Sequence, residues 1–71
     1  MNKKTLKING KKTVIPLSCM SIYDVCVFLN ISPKGKIAEL NGEIIPESHF
    51  IESQIKENDC IELIQFMGGG N

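Results

Sequence analysis

The chain has 71 residues, 42% hydrophobic and 23% charged, which makes one small domain with one core and excludes a disordered class. Formal net charge is zero, arginine is absent and no aromatic–basic cluster occurs, so the composition argues against nucleic-acid binding. No apolar run approaches the roughly 18 residues that span a membrane, and the alternating Thr5-Leu6-Lys7-Ile8-Asn9 is no signal-peptide core, so the expected location is the cytoplasm, with no membrane partner.

Thr5 to Asn9 alternates with Leu6 and Ile8 on one face, which predicts a strand. Asn9-Gly10 is a hairpin signal, because a type I′ turn requires positive φ at both central residues. Lys12 to Pro16 is then the return strand, and Pro16, with no N–H to donate, marks an edge or an end. Ser21 is a good helix N-cap, and Asp24 three residues later suits a variant of the capping box. Ile22, Val25, Cys26 and Leu29 recur at i, i+3, i+4 and i+7, one buried stripe. Asn30 and Ser32-Pro33 close the helix, since proline disfavours helical geometry at the residue before it.

Lys34-Gly35 reads as a turn, Lys36 to Leu40 as a strand, Asn41-Gly42 as a second hairpin turn, and Glu43-Ile44-Ile45 as a short strand ended by Pro46. Glu47 to Glu57 is polar with scattered Phe50, Ile51 and Ile55, a loop with one short helical turn that pins an apolar residue. Asn58-Asp59 leads into Cys60 to Met67, the clearest strand. Ile61 and Leu63 fall on one of its faces, and Cys60, Glu62, Ile64 and Phe66 on the other. A single helix covers one face of one sheet, so the class is α+β. Pairing the first and last strands in parallel at the sheet centre satisfies the right-handed crossover rule. The expectation is a β-grasp (ubiquitin-like) fold, a mixed four- to five-stranded sheet packed on one helix, over residues 1–67. Residues 68–71 form a flexible glycine-rich tail.

Cys19, Cys26 and Cys60 are odd in number and lack CxxC spacing, which argues against a disulfide framework or a zinc site and for part-buried hydrophobes. His49, the single histidine, has no adjacent partner and reads as a surface loop residue. Charge is unevenly spread. Lys3, Lys4, Lys7, Lys11, Lys12, Lys34 and Lys36 oppose Asp24 in the first half, and Glu39, Glu43, Glu47, Glu52, Glu57, Asp59 and Glu62 oppose Lys56 in the second. Either the molecule is electrically polar and docks in one orientation, or the fold interleaves the halves and neutralises them; the second reading is the expectation.

The chain ends Met67-Gly68-Gly69-Gly70-Asn71. Glycine lacks Cβ, so such a tail can thread a narrow channel, and at roughly 3.3–3.6 Å per residue it carries a carboxyl well beyond the fold. A small β-grasp domain that runs from its last strand into glycines resembles the sulfur-carrier proteins, most closely the thiamine-pathway ThiS family. The similar stretches are Leu6 to Lys11, Leu40 to Pro46 and Asp59 to Gly70, the last being the specific one.

The resemblance implies a protein co-substrate and not an enzyme, with no catalytic residue, metal or bound cofactor of its own. Its partners would be a ubiquitin-activating-type adenylyltransferase that consumes ATP, a cysteine desulfurase that supplies sulfur, and thiazole synthase. Gly70 would be the residue adenylated and then thiocarboxylated, with Gly68 and Gly69 as the slim arm. If Ile61 and Leu63 face the helix, Ile64 and Phe66 point away from it, with Met67 at the tail's root; either they form a docking patch for a partner, or they pack under a neighbouring loop or in a dimer. Asn71 departs from the family pattern, whose members present a glycine carboxylate. Proteolytic trimming, a remnant appended to the gene product, or a paralogue without the reaction each account for it. Alternatives to the thiamine role are a carrier for molybdopterin or a sulfur amino acid, and a ubiquitin-like binding module without tail chemistry.

Overall fold

The computed structural model describes residues 2–65. Five strands, β1 (Lys3–Ile8), β2 (Lys11–Pro16), β3 (Lys36–Leu40), β4 (Glu43–Pro46) and β5 (Cys60–Gln65), form one sheet in the order β2-β1-β5-β3-β4. One helix, α1 (Ile22–Phe28), packs on it, and a 3₁₀ turn spans Glu47–His49. β1 and β5 are parallel at the sheet centre, and both hairpin pairs and β3–β5 are antiparallel. This is the expected β-grasp arrangement with its full five strands.

Both Asn-Gly signals form the turns they predict: Asn9 and Gly10 have φ of 50° and 83°, and Asn41 and Gly42 have φ of 52° and 91°. β1 starts two residues earlier than the alternation predicts. Lys3 and Lys4 pair with Pro16 and Ile15, and Lys4 is buried on the core side despite its charge, its apolar stem covering hydrophobic surface.

Ser21 caps α1 by accepting the Asp24 N–H at 3.1 Å. The Asp24 carboxylate accepts from Met20 N at 2.9 Å, one residue further back than in a regular capping box. Ser21 itself is tied into an isolated bridge with Gln54. At the other end Asn30 is left-handed at φ 59°. Asn30 N donates to Val27 O at 3.1 Å and Ile31 N to Cys26 O at 2.8 Å, the paired bonds of a Schellman motif. The core joins Leu6, Ile8, Ile15, Ala38 and Ile61 of the sheet to Ile22, Val25 and Cys26 of the helix. Phe50 and Ile55 close it from the long loop, and Leu29 and Leu63 pack at its margin.

The two halves of the chain do not interleave as expected. β1 and β2 lie on one side of the sheet, and β5, β3 and β4 on the other, because each hairpin keeps its strands adjacent. Lys7 therefore faces Lys12, and Glu39 faces Glu62. Ion pairs among the described residues are local ones, Lys56–Asp59 at 3.7 Å and His49–Glu52 at 4.0 Å. The sheet surface is electrically polar rather than neutralised.

Candidate functional site

Strand alternation divides β5 as predicted. Ile61 is buried and Leu63 packs against the core, whereas Ile64 is 46% exposed on the opposite face. Residues paired across a sheet share a face, so the register places the row Ile64, Ile37 and Pro46 on that outer surface. The next row is Glu62, Glu39 and Ile44, with Ile44 57% exposed. The outer face thus carries isoleucines beside a pair of carboxylates. On the β1 side, Cys60, Lys7 and Lys12 form a third row. With Thr5, Leu6 and Asn58 they line a shallow concavity of about 320 Å³.

Two asparagines that sequence reasoning treats only as turn formers also grip β5. Asn41 Oδ1 accepts from Cys60 N at 2.8 Å, and its Nδ2 donates to Asp59 Oδ1 at 3.0 Å, at the start of the strand. Asn9 Oδ1 accepts from Leu63 N at 2.8 Å, near its end. At Asn41 both ends of the carboxamide are engaged, donor and acceptor, whereas at Asn9 the oxygen is the end that grips β5. At the last described position, Gln65 accepts from Lys36 Nζ at 2.8 Å and donates to Gly35 O at 3.3 Å.

Asp59 is buried at the mouth of β5. Burial opposes its ionisation. Hydrogen bonds from Asn41 and from Lys56 N at 2.8 Å, with the Lys56 ammonium, outweigh that and hold the carboxyl below its ordinary value. Burial, reinforced by Asp24 and opposed by Lys4, pushes the Cys19 thiol up; burial also raises Cys26, against Lys36. Cys60 is exposed, which corrects the expectation of three part-buried cysteines, because its strand position points away from the helix. His49 is exposed, as expected of a surface residue. Among the described residues no group of three or more His, Cys, Asp or Glu is placed to hold a metal ion, and no helix is long and apolar enough to cross a membrane. Of the predicted site residues, Phe66, Met67, Gly68, Gly69 and Gly70, with Asn71 after them, lie outside the described residues.

The family model described as ThiS family matches residues 1–70, every residue but Asn71. The chain belongs to the ThiS family. It is 32% identical over 65 residues to the sulfur carrier protein ThiS of Bacillus subtilis (strain 168), covering 92% of this chain and 98% of that one. The crystal structure of the ThiS thiamine biosynthesis protein from Geobacter metallireducens superposes with a TM-score of 0.78 at 28% identity, over 93% of this chain and 99% of that one. The solution structure of a thiamine biosynthesis protein from the same organism gives a TM-score of 0.71 at 29% identity, over 94% and 88% of the two chains. The matched span includes Gly68, Gly69 and Gly70.

Proposed function

We propose that this protein is a sulfur carrier of thiamine biosynthesis, a protein co-substrate that partner enzymes act on. The observation that carries the reading is that the family match extends from the first strand through Gly70, on a domain whose central strand β5 leads directly toward those glycines. The similarity to a named sulfur carrier over nearly the whole of both chains supports it.

The chemistry asks little of the carrier. A carboxylate is a poor electrophile. A ubiquitin-activating-type adenylyltransferase would join the Gly70 carboxylate to AMP from ATP, releasing pyrophosphate, and the mixed anhydride then holds a good leaving group. A desulfurase would take the sulfur of cysteine as an enzyme persulfide, whose terminal sulfur would displace AMP and leave an acyl disulfide. A thiol reductant would then cleave the S–S bond with two electrons and release the thiocarboxylate, which thiazole synthase would consume. ATP is used on the partner, and the carrier holds no cofactor. The cytoplasm, where ATP and cysteine are at hand, is the compartment this assigns.

The polar and apolar rows of the outer face suit the docking step. Ile64, Ile37 and Ile44 offer contact area beside the tail's root, and Glu39 and Glu62 favour a partner surface bearing lysine or arginine. Asn71 would be trimmed before Gly70 reacts. Incubation with ATP and the host's adenylyltransferase, with and without Asn71, tests the reading. The chain ending at Gly70 should gain the mass of AMP, and its substitution Gly70→Ala should abolish the gain. A Gly70-terminated chain that is never adenylated overturns it.

A further inference from the structure

β5 outruns its parallel partner. Lys7 N donates to Asp59 O and Asn9 N to Ile61 O, each at 2.9 Å. A regular parallel ladder would next bring Leu63 N onto the backbone carbonyl of Asn9. The chain turns there instead, with Asn9 left-handed at φ 50°. The Leu63 N–H goes to the side-chain oxygen, Asn9 Oδ1, at 2.8 Å.

We propose that Asn9 is a positioning residue for the carrier reaction, its carboxamide oxygen replacing the lost backbone acceptor so that β5 is held on the sheet to its end at Gln65. The inference rests on the carrier reading above and adds to it the residue that holds the strand preceding the tail. The demand on Asn9 is double. It must adopt positive φ for the hairpin, which asparagine tolerates, and it must supply an acceptor, which glycine cannot. On the β3 side the same stretch is held by the Lys36–Gln65 pair. Leu63 is thus anchored from the β1 flank and Gln65 from the β3 flank, at the end of β5.

Gly70 lies seven residues beyond Leu63, at most about 25 Å of chain at roughly 3.6 Å per residue, and a misplacement of a reacting group by about 1 Å can cost a reaction on the order of a hundredfold.

Three versions of the protein decide the matter: wild type, Asn9→Gly and Asn9→Asp, each purified from its own host. Asn9→Gly keeps the turn and deletes the acceptor; Asn9→Asp keeps both. Hydrogen exchange at the Leu63 amide should quicken by about fivefold in Asn9→Gly, the order expected for losing one hydrogen bond, and stay at the wild-type rate in Asn9→Asp. With the host's adenylyltransferase, Asn9→Gly should lower kcat by roughly tenfold or more with KM changed little, the pattern of a misdirected reacting group, and Asn9→Asp should restore it. Replacing the Leu63 amide by an ester removes the donor without touching the turn, and should give the same kcat loss should Asn9→Gly fail to fold. A folded Asn9→Gly or ester protein adenylated at the wild-type kcat overturns the role of Asn9 alone. A chain with Asn9 intact that ends at Gly70 and is never adenylated overturns the carrier reading, and this inference with it.

Discussion

Glu39 and Glu62 stand directly opposite each other across β3 and β5, on the sheet face turned away from the helix. Like charges in facing positions cost a sheet roughly 0.2–1 kcal/mol, so this pair lowers stability where a Thr or Gln would not. Its position beside Ile64 and Ile37 gives it a use in docking. Glu39→Gln should raise the midpoint of denaturant unfolding slightly and slow association with the adenylyltransferase, most at low salt. Stopped-flow association at two ionic strengths checks the second half. Higher stability with an unchanged association rate would remove the docking role.

Ile64 is exposed and faces Ile37 on the same surface. Ile64→Ala removes little core packing, so unfolding should shift by less than about 1 kcal/mol. Affinity for the adenylyltransferase should fall by roughly fivefold or more, the range of a residue at the centre of an interface. Calorimetric titration beside a denaturant curve separates the two effects. Phe66→Ala should act in the same direction.

Asp59 links stability to pH. Its carboxyl is held below the ordinary value of 3.8 in the fold. The stability it contributes is therefore present above the unfolded-state value and is lost as pH falls through the folded one. Denaturant midpoints measured from pH 6 down to pH 3 should decline, and the decline should be shallower in Asp59→Asn. At neutral pH that variant should be less stable by about 1–3 kcal/mol, because Asn41 and the Lys56 N–H lose a charged partner.

The three thiols should separate by reactivity. Cys60 is exposed, whereas Cys19 and Cys26 are buried with thiols pushed up by that burial. A thiolate reagent at neutral pH should modify Cys60 quickly in the native protein and reach the other two only on unfolding. Peptide mapping after a short exposure identifies the sites.

The fold was legible where local chemistry is decisive. Two Asn-Gly turns, the Ser21 cap and the stripe from Ile22 to Leu29 each carry a short-range signal, and together they leave one helix for one sheet. The long loop was read correctly in kind: a 3₁₀ turn at Glu47–His49 and a buried Phe50 behind it. The grips of Asn9 and Asn41 on β5 were not legible, because each spans a large sequence separation, from Asn9 to Leu63 and from Asn41 to Cys60. A turn residue's free side chain shows no partner until the sheet is assembled. Charge was misread for a related reason. Sequence halves predict neutralisation only if strands alternate between them, and the hairpins instead keep the lysines of β1 and β2 together. The family was legible in the order of the elements and in the glycines that follow β5, which the family match spans.

The most direct test of the carrier account is the intact mass of the protein isolated from its native host during thiamine synthesis. The account predicts chains that have lost Asn71 and end at Gly70, with a fraction heavier by one exchange of oxygen for sulfur. Chains that all retain Asn71, and that never carry sulfur, would contradict it.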